Sequence, residues 1–409
     1  MSVPSIRTKV SAADRVPRER LAGWCEAGLD AVAFALFPLL AIESRGVALL
    51  ATFAGACAAA LTVARPPLRL DWLRLPAGLL ALLVGWGALS AAWSPDWARS
   101  LVLATHLFAL GFCGLALAAA AGRIARPQRV VNYLLIGGGF GIALAAIDLA
   151  ADGMLYRLIH TRAYAPTELN QIEAAVAVLV FPVAAALWCR RRIGLAAAAE
   201  AIMLAAVMLL LDSTAKLGLV IVVPVAALVY WRRAAVARAL AALAVLGVLA
   251  APATLPLLAR LPGLLHAAES FKMTLWHRLL IWFFVGGRIG EHPLAGWGLD
   301  SSRAIPGGDV LILFDWSWLP LHPHDAALQV WLELGLPGAI LFALLLGWLW
   351  LRLGEVGWPR LYGAAAAAAF VAALTVASAS YGIWQEWWLG TLALCLFLVL
   401  VMGRAAEPP

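Results

Sequence analysis

About twelve apolar stretches follow one another along the 409-residue chain, each close to the ~20 residues a helix needs to cross a bilayer. They run over 23–42, 46–64, 75–93, 101–122, 131–151, 170–189, 194–211, 217–231, 238–258, 325–351, 361–379 and 387–403. The ninth is interrupted by Pro252 and Pro256. Backbone groups in hydrocarbon must be satisfied within the segment, so each stretch is expected to be a helix. Charged residues make up 13% of the chain and hydrophobic ones 64%, too little polar surface to coat a soluble globule. A disordered chain would not carry 19 Trp and 14 Phe. The fold class is therefore all-α, a polytopic membrane protein.

The arginines set the expected orientation. With the N-terminus in the cytoplasm and twelve spans threaded, 20 of the 30 Lys and Arg residues fall on the cytoplasmic side, and every cytoplasmic loop is positive. This divides the chain into a cytoplasmic tail (1–22), nine spans (23–258), a long outer segment (259–324), three spans (325–403) and a cytoplasmic tail (404–409). No small-residue cleavage site follows the first apolar stretch, so a removed leader is not expected. The net charge of +7 does not point to nucleic acid, because no basic run exceeds Arg190–Arg192. The five cysteines lie in or beside apolar stretches without metal or disulfide spacing, as small core residues do.

Six of the seven histidines fall on the outer side, where chemistry that uses imidazole is expected. The long segment 259–324 is of a length that usually carries function. Its stretch from Phe271 to Ile289 reads as an amphipathic helix lying in the interface, with Trp276 and Trp282 at headgroup depth. The sharpest cluster is His322-Pro323-His324-Asp325, leading into the tenth span. Pro323 disfavours helix at His322, and Asp325 suits an N-cap. His324 would then sit at a helix N-terminus, whose dipole keeps an imidazole neutral and fit to act as a base. A His-x-His with Asp could also supply three metal ligands, but no fourth is identifiable and no metal is expected.

Arg278 and Trp282 are four apart and would share a helix face, where they can stack. Arg288 lies ten residues further, within ~15 Å along the same helix. Two guanidiniums at a membrane surface suit a lipid-linked phosphate or pyrophosphate, although snorkelling to headgroups would place them alike. Lys216, in the turn Asp212–Lys216, either pairs with Asp212 or faces a buried anion. Arg162 and Asn170, with Arg157, Gln171 and Glu173, bracket the start of the sixth span as supporting or merely capping groups. Trp384-Gln385-Glu386-Trp387-Trp388 reads as an aromatic interface belt.

Trp86 to Asp96, the turn at Lys216, the stretch Arg278–Gly298, and above all His322-Pro323-His324-Asp325 followed by Glu333-x-Gly335-x-x-Gly338 resemble the O-antigen ligase and polymerase superfamily of bacterial membrane glycosyltransferases. The resemblance implies a glycosyltransferase C-type fold. It also implies transfer of O-antigen from undecaprenyl pyrophosphate to the lipid A-core oligosaccharide at the periplasmic face, without metal or ATP. The functional histidine of the family falls on His324, and its basic residues fall on Lys216 and Arg278, with Arg288 a looser match. The family usually has Asn at Asp325 and Arg at Lys216. A polymerase, a transferase to protein hydroxyls and a lipid or small-molecule transporter remain the alternatives.

Overall fold

The computed structural model describes residues 12–66, 70–161, 163–210, 212–313 and 315–407. Among these residues fourteen α-helices follow in chain order: α1 (Ala12–Ile42), α2 (Gly46–Ala64), α3 (Asp71–Ser90), α4 (Trp97–Ala121), α5 (Pro127–Ala150), α6 (Met154–Ile159) and α7 (Asn170–Cys189) come first. Then come α8 (Ile193–Leu209), α9 (Ser213–Leu258), α10 (Pro262–Phe271), α11 (Met273–Glu291), α12 (Ala326–Glu355), α13 (Arg360–Ala377) and α14 (Glu386–Ala406). A two-stranded antiparallel hairpin, Leu311–Leu313 with Trp316–Ser317, lies between α11 and α12. Among the described residues ten helices are long and apolar enough to cross a membrane, and α8 is a shorter apolar helix of 17 residues. The protein is an all-α, multi-pass membrane protein.

The 46 residues of α9 are two runs joined at Arg232, the one residue within it whose backbone leaves the helical range (φ −135°, ψ 47°). The first run packs antiparallel to α13: Gly218 faces Ala372 and Thr375, while Arg233 reaches Gly363. The second packs antiparallel to α12: Ala237 faces Gly354, and Val245 faces Gly347. The halves coincide with the stretches at 217–231 and 238–258, but the loop expected between them is a single residue. Arg232 and Arg233 look like a loop by charge, yet Arg233 stays helical and hydrogen-bonds the Trp358 carbonyl at 3.0 Å.

The break in α12 positions the site. Gly335 takes φ 60°, ψ −157°, and Pro337 two residues on has no N–H to give Glu333. The carbonyls stranded by the break are met from outside the helix. Trp297 N–H donates to Leu332 O (2.9 Å), Gly298 N–H to Glu333 O (2.8 Å), and Trp86 Nε1 to Leu334 O (2.8 Å). Leu336 N–H turns instead to Pro293 O at 3.0 Å. The turn at 293–298, weak as a motif, is thus a clasp on a broken helix. Trp86 to Asp96 holds the other side: Ser90 Oγ accepts from Leu299 N–H (2.9 Å), and Trp93 Nε1 donates to Gly296 O (3.2 Å).

A Cβ on Gly335 would lie 2.4 Å from Leu294 O, in a left-handed backbone that disfavours side chains. Gly335→Ala is therefore expected to destabilise the protein by more than ~1 kcal/mol. Gly139→Ala, where an added Cβ meets nothing within 4 Å, should be neutral or stabilising. Thermal unfolding of the two purified variants in detergent checks this.

Candidate active site

The connections α1–α2, α3–α4, α5–α7 and α13–α14, together with the start of α12, meet at one end of the bundle around a cleft of about 640 Å³. His322, Arg303, Arg99, Arg45, Gln171 and Trp387 are among the residues that line it. Arg303 arrives on the loop that the clasp holds, and Asp300 on the same loop pairs with Arg99.

His322 and His324 sit side by side with ring centroids 4.3 Å apart. Pro323 keeps the chain out of helix, and His324 takes a left-handed backbone (φ 55°), an uncommon conformation that clusters at functional sites. Asp325 caps α12, its side chain accepting Leu328 N–H at 2.8 Å. That carboxylate is turned into the helix, so the His-x-His-Asp string does not converge as a ligand set. Among the described residues no group of three or more His, Cys, Asp or Glu is arranged to hold a metal ion.

The hydrogen bonds assign the imidazole protons. His324 Nδ1 lies 2.6 Å from the Ser380 carbonyl, which can only accept, so Nδ1 carries the proton and Nε2 keeps its lone pair. His324 N–H in turn donates to His322 Nδ1 at 3.2 Å, leaving the His322 proton on Nε2. Burial pushes the pKa of His324 down to about 4, opposed by its bond to Ser380 and aided by Arg278 and His277. Burial, then His324, Arg303 and Arg278, push His322 down to about 3. Burial and the neighbouring Arg278 thus favour the neutral imidazole expected at His324.

Arg278 approaches from α11, which packs against α9 and α12 through Ile281, Val285 and Ile289 and is not a free interfacial helix. Among the described residues its guanidinium has no hydrogen-bond or ion-pair partner. Burial lowers its pKa, with Asp212 acting in the opposite direction. Trp282 does not stack on it; its Nε1 donates to the Pro323 carbonyl at 3.1 Å and so fixes the His-Pro-His strand. Lys216, in the first turn of α9, donates to Leu210 O at 2.6 Å and forms no ion pair with Asp212 among the described residues. Asp212 N–H bonds Glu173 Oε2 at 2.8 Å, while Glu173 Oε1 and Asp212 Oδ2 are buried without a partner among those residues.

The other expected groups are dispersed. Arg288 lies at the far end of α11, ion-paired to Glu291 at 2.8 Å and over the Phe284 ring, and does not join Arg278. Asn170 opens α7 with its Oδ1 buried and unpartnered among the described residues. Arg162 lies outside the described residues. Trp384–Trp388 is not an interface belt: Trp388 is fully buried, and Trp384 Nε1 bonds Glu333 Oε2 at 2.7 Å. Arg303, Gln329 and Ser380 went unread. Gln329 and Glu333 follow Asp325 at helical spacing, a signal that would have found them. Arg303 and the Ser380 carbonyl depend on loop folding and left none.

In nitrogen-15 NMR of the purified protein, His324 should still be the neutral Nδ1–H tautomer at pH 5.5. Arg278→Gln should move its titration upward, toward 6.5, because a cation that opposes protonation is gone. A His324 that titrates near 6.5 in both proteins would contradict this site.

Residues 198–343, which carry Lys216, Arg278, His322 and His324, match the O-antigen ligase family profile. A protein of Rickettsia conorii, provisionally named a polysaccharide ligase, is 40% identical over 131 residues, 31% of this chain and 32% of the relative. One of Rickettsia bellii with the same provisional name is 35% identical over 136 residues, 32% of each chain. The match spans about a third of the length of these curated relatives. The segment that builds the histidine site is thus the part of the chain that is similar to the O-antigen ligase family.

Proposed function

We propose that the protein transfers an O-antigen glycan from undecaprenyl pyrophosphate to the lipid A-core oligosaccharide, at the periplasmic face of the bacterial inner membrane with both termini in the cytoplasm. The observation that carries the reading is His324: a partly buried, neutral imidazole with Nε2 unprotonated, electrostatically coupled to the guanidinium of Arg278, which has no partner among the described residues. The positive-inside distribution supports the orientation, because the cleft lies at the end expected outside. Segment 259–324, in this reading, is the periplasmic part that brings Arg278 and Arg303 to the histidines.

The acceptor hydroxyl oxygen attacks the anomeric carbon of the donor sugar and passes its proton to His324 Nε2. The bond from that carbon to the pyrophosphate oxygen breaks, and its electron pair leaves with polyprenyl pyrophosphate. Direct displacement inverts the anomeric carbon. Arg278 and Lys216 hold the charge that grows on the leaving group, in a site where fixed cations act strongly because water is excluded. Arg288, occupied by Glu291, contributes a smaller share. Trp282 and Asp325 hold the strand that carries the base, and His322 faces the acceptor cleft. No cofactor is invoked.

With both lipids and purified protein, His324→Ala should lower glycan transfer by ~10²–10⁴-fold. Arg278→Gln should cost much more than Arg288→Gln. Full transfer by His324→Ala would refute the base. Glycan lengthened on its own carrier, with none on the lipid A core, would identify a polymerase instead.

A further inference from the structure

We propose that the opposite end of the bundle holds a second anion site, which binds the phosphate group of an anionic membrane phospholipid. A cavity of about 400 Å³ opens there between the start of α5 and the ends of α7 and α14. Four arginines line it: Arg126, Arg129, Arg190 and Arg404. Their charges are not equally met. Arg129 pairs with Asp30 at 2.6 Å. Arg404 donates to the Ala121 and Ile124 carbonyls, both at 2.8 Å, and so ties α14 to the end of α4. Among the described residues Arg190 donates only to the Ala405 carbonyl, at 3.2 Å. Among the described residues, no carboxylate pairs with Arg126, Arg190 or Arg404.

Three guanidiniums thus surround one cavity without a counter-charge, and neighbouring like charges repel unless an anion lies between them. The start of α5 adds to the field. Arg126 at its N-cap gives no side-chain hydrogen bond and Pro127 holds the first position, so the positive end of the helix faces the cavity uncapped. Bidentate guanidinium geometry suits phosphate. The depth favours a lipid as its source: the cavity lies where three apolar helices end, and basic pockets between spans at that level take lipid headgroups.

The test uses the full chain in detergent, native mass spectrometry and thermal unfolding, with phosphatidylglycerol, phosphatidylcholine and inorganic phosphate as separate probes. Phosphatidylglycerol should stay bound and raise the unfolding temperature, and the other two should not. Arg126→Gln and Arg190→Gln should each weaken phosphatidylglycerol binding roughly fivefold. The Arg126 side chain is exposed and makes no hydrogen bond among the described residues, so its replacement should leave the fold intact. Inorganic phosphate that displaces the lipid at equal concentration and protects by itself would overturn the lipid source in favour of a soluble phosphate. Lipid binding unchanged in both variants would overturn the site.

Discussion

The carboxylate of Glu333, fully buried inside the bundle, accepts four hydrogen bonds, and the geometry around the histidines descends from them. Oε2 takes Asp300 N–H at 2.6 Å and Trp384 Nε1 at 2.7 Å, and Oε1 takes Gln329 Nε2 at 3.0 Å and the Ser302 hydroxyl. A buried carboxylate without such donors would be strongly unfavourable, so the four partners are held as firmly as they hold it. Through Asp300 and Ser302 it fixes the loop that delivers Arg303. Through Gln329, whose Oε1 accepts Ile383 N–H at 2.9 Å, it fixes the loop that offers the Ser380 carbonyl to His324.

That anchor sits two residues before the Gly335 hinge, and the two act together. A straight α12 would keep its own carbonyls and leave no place for Trp297, Gly298 or Trp86 to dock. The break gives three backbone acceptors to the clasp, and the side chain at 333 gathers the loops that the clasp brings near. The result is two-sided. His322 faces the cleft with Arg303, while His324 is bonded to the Ser380 carbonyl and lies within electrostatic reach of Arg278. A strand of three residues therefore carries one imidazole toward the cleft and the next toward Arg278.

The spans were legible because lipid imposes a length and a composition that nothing local can override. The reversal at Arg232 was not, since charge marks the end of a span but not how many residues the turn takes. His322 to Asp325 stood out because proline, imidazole and a capping carboxylate are informative as a string, and the cap formed as expected. Trp384–Trp388 misled for a physical reason: tryptophan N–H suits a wet interface and a buried carboxylate equally, and only Glu333, 51 residues away, decides between them. Arg288 shares a helix with Arg278, but ten residues turn it to Glu291, and periodicity does not reveal which carboxylate will be near.

In the proposed reaction a neutral imidazole at 324 and the cation at 278 enclose the reacting bond. Cryo-electron microscopy of the protein with a non-hydrolysable polyprenyl diphosphate sugar tests it most directly. The diphosphate is expected against Arg278 and Lys216, with the anomeric carbon on the side of His324 Nε2 and the cleft lined by His322 beyond it. A diphosphate bound away from Arg278, or a sugar on the far side of the bundle from His324, would contradict it.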